Sequence, residues 1–568
     1  MYTELLGSAH HAAERGRTGD DDVDELVRWM SVSRTVAAVV AEYLAEAGVS
    51  HVFTYPGDPT VEFLEALRLQ GTEIVLGRRE GTAAFMAEGM AQATGDLGVC
   101  VSTLGPGSTA LVNGVAAAQW DRVPMLAISG QIEAAREQFF THQVVDHGRL
   151  FGSITKWAGR LETAAVGPTL RKAMRTAVAE RPGAVHLTVG GDVFKAQAPD
   201  EPVALPPLEA RSLGVQVHGH GGDTPDPVAR LARSRRPVIL AGIGAVRGEA
   251  TKELVALAET VGAPVVVSPM AKGVVPEDHP YFAGVLDMAC NKVMWDLLAA
   301  SDLVVAVGFD AVELIKPWSL AVPVLHVDAV PNTDQVYQAD LELVGGIADV
   351  LRWMADEWRG EPRTDPGDVA AHRARLREVY YSGRVTDRLN PTDVLDVVRG
   401  AMNDDAVVAC DVGSHKLLVG QGWATPSPRG VLMSNGLSSM GFGVPAAIAA
   451  KLAFPDRPVA GLVGDGGFAM AATEMRLAAS VGANLAVVVF VDESLNRIEL
   501  KQAVAGYPST ATRIEATDLV KLAESMDCDG VRVTSVAELE RATAGINDLT
   551  RPLVVEAVID PAQYEAQF

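Results

Sequence analysis

The sequence predicts an α/β protein built of three doubly wound parallel-sheet domains. Short apolar runs of strand length end in glycine-rich turns and alternate with helical periodicity, the pattern of parallel sheets covered by helices on both faces. That pattern stops and restarts twice, across stretches rich in Pro, Gly and polar residues. At 568 residues the chain is also too long for one core and divides naturally into units of roughly 150–200 residues.

The first unit is expected over residues 33–195. Thr35–Ala47 reads as an amphipathic helix, and His51–Thr54 as a short strand ending in the turn cluster Tyr55-Pro56-Gly57-Asp58-Pro59. Glu73–Leu76 reads as strand and Gly81–Thr94 as helix. Gly98–Thr103 is a strand running into Gly105-Pro106-Gly107, and Met125–Ser129 and Val185–Val189 are further strands. Residues 196–226 carry no period and read as a linker. The second unit spans 227–360, with strands at Pro237–Leu240, Pro264–Val267, Leu303–Val307 and Val324–Val327. A second linker with a charged helical stretch covers 361–389. The third unit, 390–568, has strands at Ala406–Ala409, Val459–Val463, Leu485–Val491 and Leu553–Ala557. Residues 1–32 are polar, hold the acidic cluster Asp20–Asp24 and show no signal-peptide pattern; they read as a flexible extension.

Composition narrows the function. The formal net charge is −24, which repels nucleic acid and anionic membranes. No apolar run reaches the ~18–20 residues of a membrane helix. The four cysteines, Cys100, Cys290, Cys410 and Cys528, lie far apart without metal-ligand spacing and fit buried thiols in a reducing cytoplasm. A nicotinamide-dinucleotide site would need Gly-x-Gly-x-x-Gly after its first strand, and none stands in that context.

The third unit carries the most specific pattern. Strand Val459–Val463 is followed at once by Gly464-Asp465-Gly466-Gly467, where glycines let backbone approach a ligand and Asp465 offers a hard oxygen for Mg²⁺ or Ca²⁺. After the next apolar strand come Asp492-Glu493-Ser494, and adjacent strands would bring Asp465 and Asp492 to one sheet edge. Upstream, Ala406–Ala409 leads into Asp411-Val412-Gly413-Ser414-His415, and farther on stands Ser438-Ser439-Met440-Gly441-Phe442-Gly443-Val444-Pro445-Ala446-Ala447. The first unit holds Arg78-Arg79-Glu80-Gly81, the turn Thr103–Gly107, then Asn113, Asp121, Pro124 and Thr141-His142-Gln143.

Together these segments resemble the thiamine-diphosphate-dependent enzymes, and among them the acetolactate synthase type, over about residues 33–560. The resemblance names the three units a pyrimidine-binding, a central and a diphosphate-binding domain. It implies thiamine diphosphate and Mg²⁺ as cofactors. Asp465, Asp492 and the Ser494 carbonyl map onto the metal ligands. Gly413, Ser414, His415, Gly464, Gly466 and Gly467 map onto the diphosphate cradle. Met440 matches the apolar wedge that bends the cofactor, with the Ser438 carbonyl and Leu495 beside it. Gly57, Pro106 and Asn113 fall on the pyrimidine side. Glu80 matches the glutamate that shares a proton with a pyrimidine nitrogen, so that the cofactor's own amine can deprotonate its thiazolium carbon.

Departures from the family pattern are visible. Asp492 stands for the usual Asn and adds a negative charge beside a diphosphate. Arg79 stands for His, and Ser438 for Gly. At the substrate side, where the family has Phe-Gln, Gln143 fits and His142 replaces Phe, reading either as a proton-transferring or as a structural group. Residues Leu495–Gln502 differ from the Trp- and Met-containing stretch of acetolactate synthases. The central unit has only the weak turn Ala241–Ala245 and lacks an Arg-rich pattern at Gly308–Leu314, which disfavours FAD. In this family the glutamate and the diphosphate site come from different subunits, implying a homodimer or homotetramer. The activity implied is a carboligase acting on a small 2-oxo acid and an acceptor. A plain 2-oxo-acid decarboxylase and a non-catalytic relative, the latter motivated by Asp492, are the alternatives.

Overall fold

The computed structural model describes residues 34–208, 214–219 and 226–567; the expected extension 1–32 lies outside the described residues. Three sheets follow one another along the chain. The first contains β1 (His51–Tyr55), β2 (Glu73–Leu76), β3 (Gly98–Ser102), β4 (Met125–Gln131), β5 (Trp157–Leu161) and β6 (Ala184–Gly190). Its order is β2-β1-β3-β4-β6-β5, with every pairing parallel. The second contains β7 (Gln216–Gly219), β8 (Pro237–Ala241), β9 (Val265–Val267), β10 (Phe282–Val285), β11 (Leu303–Val307), β12 (Val324–Asp328) and β13 (Ala339–Val344). Its order is β10-β9-β8-β11-β12-β13-β7, parallel except for β7. The third contains β14 (Val407–Cys410), β15 (Val431–Met433), β16 (Val459–Gly464), β17 (Ala486–Val491), β18 (Asp529–Val533) and β19 (Leu553–Val558), in the order β15-β14-β16-β17-β19-β18.

The inner strands are largely apolar because helices cover both faces: β4, β6, β8, β11 and β12 are buried at every residue. Each sheet has a point where consecutive strands depart in opposite directions, between β1 and β3, between β8 and β11, and between β14 and β16. Such crevices at the carboxyl ends of strands are where open α/β sheets bind ligands.

The N- and C-terminal domains pack directly. Helix Glu80–Thr94 crosses helix Gly443–Ala453 so closely that a Cβ on Gly89 would lie 2.6 Å from the Cα of Ala446. Phe85 meets Phe442 edge-on at 6.0 Å, and one apolar cluster runs through both domains.

The linker expected at 196–226 needs correction. Its Gln216–Gly219 segment pairs antiparallel with β13 and closes one edge of the central sheet. This strand is exposed and polar, so it lacks the apolar run that marked the inner strands.

Candidate functional site

The crevice between β14 and β16 holds a cavity of about 210 Å³. Behind its lining residue Val412, Asp411 follows β14 and is fully buried. Its carboxylate accepts N–H groups from Val412 at 2.6 Å, Gly441 at 3.0 Å and Gly443 at 3.1 Å. Burial pushes this carboxyl up to about 6, against those bonds. Asp411 thereby ties the turn after β14 to the loop that carries Met440.

Next along the chain, His415 is buried and stacks on Phe490 at 5.1 Å. Burial lowers it to about 4, so its ring is neutral at pH 7, and its Nε2 has no protein partner. Gly413 must lack a side chain because a Cβ there would sit 2.7 Å from the His415 ring. Ser414 donates its hydroxyl to Asn496 Oδ1 at 2.6 Å, joining this turn to the segment after β17.

β16 and β17 are neighbours in parallel register, with Gly464 opposite Phe490. That register brings Asp465 and Asp492 to one edge. Asp465 Oδ2 accepts the N–H groups of Asp492 at 3.2 Å and Glu493 at 2.7 Å, and Oδ1 accepts that of Gly466 at 2.8 Å. The Ser494 N–H donates to Asp492 Oδ1 at 3.2 Å. Burial, and then the charge of Asp465, push the Asp492 carboxyl up to about 7. Among the described residues no cluster of three His, Cys, Asp or Glu side chains could hold a metal ion. The donor set here is two carboxylates and a backbone carbonyl. This suits Mg²⁺, which is commonly held by one or two carboxylates with phosphate oxygens and water filling the other positions. A divalent ion would also relieve the pairing of two half-buried carboxylates. The unpaired His415 nitrogen and the side-chain-free backbone at Gly413, Gly464, Gly466 and Gly467 fit a diphosphate.

Met440 and Leu495 line the same cavity, and a Cβ on Gly466 would lie 3.0 Å from Leu495 Cδ2 and 3.4 Å from Met440 Cε. Ser438 lies just outside it with a φ of 54°, the left-handed conformation that favours glycine, and its hydroxyl donates to Asn435 O at 2.9 Å.

A second group forms in the crevice between β1 and β3. Glu80 opens its helix beside the Gly105–Gly107 turn, and a Cβ on Gly107 would lie 3.0 Å from Glu80 Oε1 and 2.7 Å from Thr103 Cγ2. Gly57 packs its bare Cα on the Thr103 side chain, and Pro106 starts the helix Pro106–Trp120. The Gln143 backbone, at φ 60°, covers Gly105, while His142 stands exposed beside Phe140. Asn113 lies apart from this group; its Oδ1 accepts the Ser439 hydroxyl at 3.0 Å. Within one chain Glu80 does not line the Asp465 cavity.

Three supporting residues had no role assigned from the sequence: Glu474 went unnoticed, and Asp121 stood only as a member of a motif. Asp411 was visible only as part of a motif. Glu474 accepts from Arg78 and Thr82 of the N-terminal domain. Asp121 accepts the backbone N–H groups of Asn435 and Gly436. All three bond backbone or residues remote in sequence, so no local spacing announces them. The wall residues Phe490, Ile559 and Tyr564 were hidden as ordinary core positions.

Comparison with known proteins agrees with this geometry. Residues 34–150 match the thiamine pyrophosphate enzyme N-terminal TPP binding domain, 226–354 the central domain and 411–557 the C-terminal TPP binding domain. The chain is 30% identical to a probable acetolactate synthase large subunit of Methanocaldococcus jannaschii, over 93% of this chain and 92% of that one. It is 31% identical to an acetolactate synthase of Mycobacterium bovis, over 92% and 88%. An acetolactate synthase of Bacillus subtilis matches at 28% over 92% and 93%. The chain therefore belongs to the thiamine-diphosphate-dependent enzymes, in the group similar to acetolactate synthase large subunits.

Proposed function

We propose that this enzyme is an Mg²⁺-dependent carboligase that takes a small 2-oxo acid, releases CO₂ and joins the remaining fragment to an acceptor carbonyl. One observation carries the reading: Asp465 and Asp492 meet at the ends of neighbouring strands, in a cavity that also holds the unpaired His415 nitrogen. The full-length likeness to proteins named acetolactate synthase favours carboligation over simple decarboxylation.

Asp465, Asp492 and the Ser494 carbonyl would hold Mg²⁺. Gly413, Ser414, His415 and the Gly464–Gly467 turn would receive the diphosphate. Met440, Leu495 and the Ser438 carbonyl would shape the space above. When bound, thiamine diphosphate supplies a nucleophilic carbon that attacks the 2-oxo acid and stores the electron pair freed as CO₂ leaves. Glu80 holds and returns a proton at the pyrimidine nitrogen, with Gly57, Pro106 and Asn113 on that side. His142 and Gln143 face the substrate. Because Glu80 does not line its own chain's cavity, we assign it to the site of a second copy, so that a homodimer is the smallest active unit and a homotetramer is compatible with it.

Flavin has no role in this reading. At the central crevice between β8 and β11 stands Glu313, whose carboxyl bonds Ser268 and the N–H groups of Ile243 at 2.8 Å and Asp310 at 2.7 Å. The four cysteines are buried free thiols, in keeping with a reducing cytoplasm. No helix among the described residues is long and apolar enough to cross a membrane.

The test is mass spectrometry of products from purified protein, thiamine diphosphate, Mg²⁺ and a panel of 2-oxo acids, with and without an acceptor aldehyde or oxo acid. A new 2-hydroxy ketone or 2-hydroxy-3-oxo acid supports carboligation. An aldehyde alone, with or without acceptor, replaces it by decarboxylation.

A further inference from the structure

Glu474 opens the helix Glu474–Ser480 in the C-terminal domain, a few residues beyond the Asp465 turn. Its side chain is fully buried yet does not face its own domain's cavity. Instead Oε1 accepts the N–H of Arg78 at 2.9 Å and the hydroxyl of Thr82 at 2.5 Å, both in the N-terminal domain. The Thr82 hydroxyl lies 2.8 Å from the Arg79 carbonyl as well. Glu80 sits between the two residues so held. We propose that Glu474 is a positioning residue for Glu80, fixing from the neighbouring domain the turn on which that carboxyl is mounted.

The chemistry favours this over a packing role. A buried carboxyl costs desolvation that an apolar residue of the same volume avoids, so its place is explained by the bonds it makes. Those bonds bracket Glu80 on both sides, at a site where placement within about 0.5 Å decides function. The same contact works in reverse. Asp121 of the N-terminal domain accepts the N–H groups of Asn435, at 2.7 Å, and Gly436, in the loop leading to Ser438 and Met440. Each domain thus holds the other's cofactor-facing loop within one chain.

This inference rests on the role proposed for Glu80, and the test separates the two. Glu474→Met keeps length and removes the acceptor; Glu474→Gln keeps an acceptor oxygen; Thr82→Val removes only the hydroxyl bond. In cofactor-free protein, hydrogen–deuterium exchange at the Arg78 amide should rise about tenfold or more in Glu474→Met and stay near wild type in Glu474→Gln. In protein loaded with thiamine diphosphate and Mg²⁺, exchange of the thiazolium proton should slow about ten- to a hundredfold in Glu474→Met, less in Thr82→Val, and recover in Glu474→Gln. Cofactor affinity by calorimetry should change little in all three. Wild-type Arg78 protection in Glu474→Met, or wild-type thiazolium exchange alongside a collapse in Glu80→Gln, overturns the positioning role. Should Glu474→Met not fold, Thr82→Val alone decides by the same readings. Unchanged thiazolium exchange in Glu80→Gln would instead refute the role of Glu80, leaving the amide measurement to judge the latch.

Discussion

Asp492 sits half-buried beside Asp465, and both effects push its carboxyl up to about 7. Such a pair is costly without a cation and becomes a ligand set with one. Asp465 also organises the edge, since its carboxylate gathers three backbone N–H groups. The two positions should therefore respond differently. Asp465→Ala is expected to weaken Mg²⁺-dependent cofactor binding by more than about a hundredfold, because it removes a ligand and leaves three backbone N–H groups without their acceptor. Asp492→Asn keeps an oxygen ligand and removes the extra charge, so its affinity should stay within about tenfold of wild type. Titration calorimetry at several Mg²⁺ concentrations reads both. Glu313 gives a separate prediction. Burial pushes it from its ordinary 4.5 up to about 8, opposed by its bonds to Ser268, Asp310 and Ile243. The folded protein therefore keeps a proton that the unfolded chain releases above about 4.5. That stabilisation is complete below the unfolded value and is lost as pH rises through the folded one. Thermal midpoints measured from about pH 6 to about pH 9 should fall, and Glu313→Gln should flatten the decline.

At the scale of elements, the close crossing of helices Glu80–Thr94 and Gly443–Ala453 depends on Gly89. A side chain there would meet Ala446 backbone at 2.6 Å. Gly89→Val should cost about 1–3 kcal/mol of stability, seen as a lowered midpoint in thermal or denaturant unfolding. Gly89→Val with an unchanged midpoint would show that the helices can separate freely. Element by element, legibility followed burial. The inner strands were readable because both faces are covered and the run is largely apolar. The strands missed were β5, β7, β10, β13, β15 and β18, and all but β13 lie at sheet edges. β7 and β18 are largely exposed, and β13 alternates. β10 is buried, but Gly284 at φ 127° and a register shift disguise it. At the site, the glycine turns with Asp465 and Asp492 were legible because their chemistry is local in sequence. Asp411, Asp121 and Glu474 were not, because their partners come from loops or from another domain.

At the scale of the molecule, the two outer domains share one strand order and the central domain has another, yet each presents a strand-end crevice, and the contents differ. The first holds Glu80 with Gly57 and Gly107, the third holds Asp465, Asp492 and His415, and the middle one receives the Glu313 carboxyl. The proposal that Glu80 serves a partner's cavity has a sharp consequence. Co-expressed Glu80→Gln and Asp465→Ala chains, each inactive alone, should regain about a quarter of wild-type activity, because each mixed dimer has one intact site. No recovery in demonstrably mixed dimers would place both residues in one chain's site. The central claim is that Asp465 and its neighbours hold thiamine diphosphate through a divalent ion. Calorimetric titration of thiamine diphosphate into the protein tests it most directly, first with Mg²⁺, then with a chelator, then into Asp465→Ala with Mg²⁺. Saturable binding of one cofactor per chain, lost in both the second and third titrations, is the predicted result. Equal binding in all three, or none in the first at millimolar cofactor, would contradict it.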